Sequence, residues 1–258
     1  VKVLATVVKK ELLEYLRNFS LIWVPTVFIL LAIMDPLTTY YTPVILDAVG
    51  GLPEGTVFEF PEIVASEAFM MSFTQLSAFG ILIVVLLTMN TIAGERKSGV
   101  SELILVKPIK VTTYITGKWL AKLILFLSSI ILALLTSCYY VNILFGHISI
   151  SDWAWSVLFY GTWIMFVISL TVFYNTTFKA PGAVAGSAIG TLIAMTIFNT
   201  IFAHRLPWFP NNLSSHIAQM VASGTISTDL WATAGIIVGL SGLLLIASFA
   251  AFSKKEWL

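Results

Sequence analysis

Long uninterrupted apolar runs follow one another along this chain, separated by short polar stretches. Uncharged runs extend from Phe69 to Ile92, Leu123 to Phe145, Trp153 to Phe178, Ala180 to Ala203 and Leu230 to Phe252; a shorter one, Phe19 to Met34, continues through Asp35-Pro36 to about Tyr41. A helix of about 20 apolar residues crosses a hydrocarbon core of roughly 30 Å, whereas barrel strands alternate polar and apolar positions over about 10 residues. The pattern therefore predicts six transmembrane α-helices. Ahead of them, Val1 to Asn18 places Val1, Leu4, Val8, Leu12, Tyr15 and Leu16 on one side of a helix and Lys2, Thr6, Lys9, Lys10 and Arg17 on the other, with Glu11 near the apolar rim. This leader reads either as an amphipathic interfacial helix in the headgroup plane or as a basic flank that sets topology.

Composition agrees: 58% hydrophobic and 10% charged residues, with a mean hydropathy of +0.95, leave too little polar surface for a water-soluble globule. A single all-α integral membrane domain is expected over residues 1–258. The net charge of +1 conceals a strong asymmetry. Threaded through six spans, every Lys and Arg except Arg205 falls on one side, while Asp35, Asp47, Glu54, Glu59, Glu62, Glu67, Asp152 and Asp229 collect on the other. Lysine and arginine are retained in the cytoplasm, so both termini are expected there, in a multi-pass protein of the cell membrane with lipids for neighbours. The asymmetry argues against nucleic acid as a partner. The first apolar run lacks a small-residue cleavage site and reads as a retained span. Cys138 is alone, so neither a disulfide nor a thiolate metal site is available.

The outer loops differ in character. The first, about Thr42 to Ser66, carries Gly50-Gly51, several prolines and no basic residue, and is expected to lack regular structure over much of its length. The third, His204 to Asp229, begins with Leu206-Pro-Trp-Phe-Pro210 and suits a half-inserted or re-entrant pair of short helices between spans five and six. On the inner side Thr177-Phe-Lys-Ala-Pro-Gly182 forms a tight turn between spans four and five.

The densest polar stretch lies between spans two and three: Gly94-Glu95-Arg96-Lys97-Ser98-Gly99-Val-Ser-Glu102-Leu, then Pro108 and Lys110. Gly94 and Gly99 permit sharp turns out of span two, Ser98 suits a helix cap, Glu102 falls mid-segment and Pro108 ends it. Glu95, Arg96, Lys97 and Glu102 are expected to face outward, with Leu103, Ile104 and Val106 against the membrane. No phosphate-binding loop exists to make this chain an ATPase. The nearest candidate, Gly117-Lys118, has Thr112 where the first glycine belongs and Trp119 where a hydroxyl belongs.

The spacing Gly94-Glu95-x3-Gly99-Val-Ser-Glu102-Leu-x4-Pro108 resembles the signature of ABC-2 type transporter permeases, usually Glu-x-x-x-Gly-Thr-x-Glu-x-Leu-x-x-x-Pro; Val100 replaces the usual Thr. The six spans and basic leader are similar as well. This resemblance implies a transport subunit without enzymatic activity of its own, in which the loop is a coupling helix docked on a cytoplasmic ATPase. The leader and the turn at Phe178 and Lys179 would be supporting contacts. It also implies two ATPase subunits carrying ATP and Mg, no cofactor on this chain, and a second permease copy or relative completing the pore. Export of a hydrophobic or amphipathic cargo, such as a lipid, peptide or drug, is the implied function, along a path walled by spans one, two and five.

Other features are weaker. Gly182, Gly186 and Gly190, continued by Ala194, form a small-residue row on span five and are expected to pack a helix closely. Asp35, beside Pro36, reads as a helix end or as a substrate or proton group. Gln75, Asn90, Asn142, Asn175 and Asn199 suit hydrogen bonds between helices, and no charge is expected at mid-depth. His147, His204 and His216 match no metal-ligand spacing. The alternative reading is an ATP-independent secondary transporter or channel, which calls for charged or unwound sites within the membrane. An intramembrane enzyme lacks a catalytic set.

Overall fold

The computed structural model describes residues 2–48, 62–99 and 109–255. Helix α1 (Lys2–Arg17) leads into α2 (Ser20–Ala48), which is span one. Span two is assembled from α3 (Ala65–Gln75), a π-helical turn at Leu76–Gly80, α4 (Ile81–Thr88) and, after a break, α5 (Ala93–Lys97). Spans three to five are α6 (Val111–Leu144), α7 (Ile150–Thr177) and α8 (Pro181–Phe202). A 3-10 turn, Pro210–Asn212, and α9 (Leu213–Ser223) precede span six, α10 (Thr228–Lys255). Six helices are long and apolar enough to cross a membrane, and the described residues contain no strand.

Span four is the central column. It packs α10 on one side and α6 on another, and also touches α4, α8 and α9. Its core carries Phe159, Tyr160, Ile164 and Val167, all shielded from solvent. Span five is the peripheral helix, with most of its surface open.

Span one extends further than its apolar run. Pro36 does not end α2, which continues to Ala48. Proline leaves the carbonyl four residues earlier without its ladder donor, and here that carbonyl, Ala32 O, accepts a hydrogen bond from Ser72 Oγ at 2.6 Å. Ser137 Oγ lies 2.6 Å from the same hydroxyl. Ser72 thus satisfies the carbonyl that the proline leaves open, and Ser137 in turn bonds the Ser72 hydroxyl. Asp35 therefore does not mark a helix end; its two carboxylate oxygens accept from Gln75 Nε2, each at 2.8 Å.

The lysine-rich end of α6 also lies ahead of its apolar run. Its 34 residues extend about 50 Å, longer than the hydrocarbon core, and the helix takes in Lys118 and Lys122, as a restart near Thr112 after Pro108 leads one to expect. Helix α1 docks against this extension. At Gly117 an added Cβ would stand 2.6 Å from Val7 Cγ1, a contact only glycine allows. The docked face is centred on Glu11 and Tyr15, both buried, whereas Val3, Leu13 and Leu16 remain exposed. Glu11 is thus the middle of the buried side rather than its rim. The corner between α1 and α2 sets Phe19 at φ 60, and Asn18 Oδ1 accepts from Ser20 N at 3.0 Å.

At the opposite end, the expected pair of short helices is a 3-10 turn followed by one helix, α9, which packs on α3, α7 and α10. Asn199 Nδ2 donates to Asn212 Oδ1 at 2.8 Å, and His216 Nε2 lies 2.8 Å from Pro207 O. Gly224, at φ 69, ends α9.

Replacing Gly117 with Val forces α1 from its seat. We expect a loss of about 1–3 kcal/mol, read as faster proteolysis within residues 2–17. Adding Val7→Ala should restore protection, and a Gly117→Val protein as resistant as wild type would contradict the docking.

Candidate functional site

The lysine-rich end of the bundle gathers the polar chemistry of the chain around α5. Between α4 and α5 the helical ladder of span two breaks over Met89 to Ile92. Inside a membrane protein such a break leaves backbone donors to be satisfied by side chains. Asn175, fully buried near the end of span four, supplies the partner: its Oδ1 accepts from Ile92 N at 3.2 Å and from Ala93 N at 3.0 Å. Its Nδ2 donates to Thr88 O and Thr171 O, each at 3.0 Å. One amide holds the broken span to its neighbour.

Beyond the break, Glu95 and Arg96 reach in opposite directions. Glu95 Oε1 meets Lys118 Nζ at 2.8 Å and Lys10 Nζ at 3.5 Å, and its other oxygen accepts from the Tyr114 hydroxyl. The same Lys118 ammonium lies 2.9 Å from Glu11 Oε1. Lys118 is 2% exposed and Glu11 4%, so α1, α5 and α6 share a buried cluster in which one ammonium bridges two carboxylates. Burial works to lower the pKa of the Lys10 ammonium at the rim, but the charges of Glu11 and Glu95 outweigh it and raise the pKa. Arg96 Nη1 donates to Thr176 O at 3.2 Å, and its guanidinium lies 5.5 Å from the centre of the Phe252 ring. This second arm joins α5 to the ends of spans four and six.

The expected outward face is therefore divided. Glu95 and Arg96 turn into the bundle because buried partners of complementary chemistry await them; Lys97 and Ser98 are exposed. Gly94 is part of α5 rather than a turn, which is made at residues 89–92 instead, and Gly99 does turn, at φ 75. Ser98 follows the last residue of α5 and donates to Glu95 O at 3.2 Å. Glu102, Leu103, Ile104, Val106 and Pro108 lie outside the described residues. The turn after span four lies beside α5, as the Arg96–Thr176 bond requires. Phe178 stacks on Tyr174 with ring centres 6.0 Å apart, and Lys179 is exposed.

The glycine row finds no neighbour among the described residues. A Cβ added at Gly182, Gly186 or Gly190 would meet nothing within 4 Å, so among the described residues the row packs no helix; it lies on the open face of span five. A helix restart near Thr112, after Pro108, is what the sequence leads one to expect, and α6 begins at Val111; what the sequence reading missed is the part Lys118 and Lys122 play in a buried site. Their i,i+4 spacing on one helical face, and a glutamate at the apolar edge of α1, were the available signals. Among the described residues no three His, Cys, Asp or Glu side chains converge.

Nearer the opposite end, a cavity of about 410 Å³ opens beside the π-helical turn of span two. Ser77, Trp163, Ile189, Thr196, Asn211 and Ser214 line it. Its walls come from spans two, four and five, the 3-10 turn and α9. Ser77 Oγ lies 3.1 Å from Tyr160 Oη at its edge.

Comparison with known proteins places these features in context. Residues 5–257 match the family described as ABC-2 family transporter protein. The chain is also 30% identical, over 223 residues, to the uncharacterized transmembrane protein YxlG of Bacillus subtilis (strain 168), a match covering 86% of each protein.

Two substitutions test the site. Asn175→Leu should orphan Ile92 and Ala93 N–H, at about 1–3 kcal/mol for each group left unpaired; hydrogen exchange at those amides should accelerate, and unchanged protection would contradict the assignment. Lys118→Met leaves two carboxylates buried without their shared cation and should cost about 3–5 kcal/mol in thermal unfolding. Adding Glu11→Gln and Glu95→Gln should recover most of the loss; a triple variant no better than Lys118→Met would show that charge is not what the cluster balances.

Proposed function

The chain belongs to the ABC-2 family of transporter proteins, and from that premise we propose that it is the membrane subunit of an exporter driven by ATP hydrolysed on separate subunits. Membership makes it a transporter membrane subunit with ATPase partners; export, two ATPases with their ATP and Mg, and a hydrophobic or amphipathic cargo are the finer reading. In this reading the lysine-rich end and both termini are cytoplasmic, and the segment following α5, with Gly99, Glu102 and Pro108, docks on the ATPase beside Phe178 and Lys179.

The observation that supports it best is the bracing of α5. A segment that exposes Lys97 and Ser98 while Glu95 and Arg96 grip α1, α6, span four and span six is built to pass an applied push to the whole bundle. The cavity of about 410 Å³, greasy but edged by Ser77, Thr196 and Asn211, suits an amphipathic cargo. A second permease copy completes the pore, seated on the open row of Gly182, Gly186 and Gly190, where small residues let backbones approach.

In mild detergent the chain should retain an ATP-binding partner, and Gly99→Pro or Glu102→Arg should release it while six-span folding persists. Nucleotide-free vesicles containing this chain alone should not transport. Full transport without nucleotide would favour the ATP-independent alternative.

A further inference from the structure

Between α1, the inner part of span two and α6 lies a second cavity, of about 260 Å³, whose lining is polar for a bundle so apolar: Tyr15, Thr91, Glu95, Lys118 and Lys122 are among its walls. Glu11, Glu14 and Glu95 also line it, and two of these three carboxylates are already engaged. Glu11 and Glu95 both hold Lys118, and Glu95 also takes Tyr114 and Lys10. Glu14, on the rim, is exposed.

Three donors of the cavity find no such partner among the described residues. Lys122 is 7% exposed; its ammonium lies 4.7 Å from the centre of the Tyr15 ring and has no hydrogen-bond acceptor among the described residues. Tyr15 Oη and Thr91 Oγ1 are likewise buried without a partner among those residues. Burial, with the charges of Glu11 and Glu14 near it, pushes the Tyr15 phenol above its usual range, so the hydroxyl keeps its proton. The carboxylates of Glu11 and Glu14 act on the Lys122 ammonium through space without bonding it, so it still lacks an acceptor, and three donors around one space call for a group rich in acceptors.

Size and position narrow the choice. The space far exceeds the share of about 30 Å³ that one water occupies. It lies at the level where α1 docks on α6, and α1 shows Leu13 and Leu16 outward, as a helix does at the boundary of headgroups and acyl chains. Leu86, 41% exposed, carries the wall of the cavity onto the lipid-facing surface of span two. We propose that this cavity holds the phosphate of a phospholipid from the leaflet at the lysine-rich end, with Lys122 as its counter-charge, Tyr15 and Thr91 as hydroxyl donors and the acyl chains along Leu86. The bound lipid completes the seat of α1 and is a structural ligand rather than cargo.

Native mass spectrometry of the purified full chain in detergent tests this by titration with dihexanoyl phosphatidylglycerol, dihexanoylglycerol and inorganic phosphate. Wild type and Lys122→Arg should each take up one phosphatidylglycerol saturably, and Lys122→Met should bind it roughly tenfold more weakly. Thr91→Val, which keeps every charge, should weaken it roughly threefold and serves if Lys122→Met does not fold. Dihexanoylglycerol should not saturate the site. Equal uptake by wild type and both weakening variants would overturn the proposal, and so would saturation by inorganic phosphate alone, which would make this a free-ion site. None of these outcomes depends on the ATPase, so the coupling reading stands or falls separately.

Discussion

Lys118 carries a positive charge into a site almost closed to water, and two carboxylates far apart in the sequence, Glu11 and Glu95, meet it there. Glu11 and Glu95 share the one Lys118 ammonium, and removing any of the three would leave buried charge without its partner. The interaction is therefore collective: α1, α5 and α6 must assemble together or expose charge to an apolar interior. Asn175 imposes a similar condition on span two, whose broken backbone is satisfied only when span four lies against it. Arg96 closes the set through Thr176 and Phe252. In a protein whose remaining contacts are mostly apolar and without direction, these few polar contacts fix which helix ends move together.

The two ends of the bundle are built on contrasting terms. The lysine-rich end is tied by ion pairs and by an amide that spans the break at Met89 to Ile92. The opposite end contains a π-helical turn, a cavity and a short helix, α9, held by asparagine amides and one histidine. A π-helical turn carries an extra residue that disturbs the regular ladder, and such turns recur at functional sites. A stiff lower frame beneath a cavity with an irregular wall is an arrangement that can convert a push at α5 into a change of shape above it.

Much of this was legible in the sequence, and the misses share a cause. Lipid thickness fixes span length, so the six helices could be placed from apolar runs alone, and the Gly94 to Pro108 spacing pointed to the family. What composition could not show is where a helix continues beyond its apolar stretch. The start of α6 at Val111 is close to the restart expected near Thr112, but the carboxylates that meet Lys118 come from distant segments; α2 runs on through Pro36 to Ala48, with Ser72 satisfying Ala32 O. Asn175 read correctly as a hydrogen-bonding residue, but its partner, a broken backbone in another span, left no mark in local sequence. The row at Gly182, Gly186 and Gly190 reads identically whether its neighbour belongs to this chain or to another, and here it faces outward.

The central claim is that α1, α5 and the start of α6 form one rigid frame that carries force into the bundle. Paired spin labels at Thr6 and Ser98, and at Ser98 and Thr225, measured in the complex with its ATPase partner, test it directly. With a non-hydrolysable ATP analogue bound, the Thr6–Ser98 distance distribution should stay unchanged while the Ser98–Thr225 distribution shifts. A shift between Thr6 and Ser98, with α5 moving free of α1, would contradict the account.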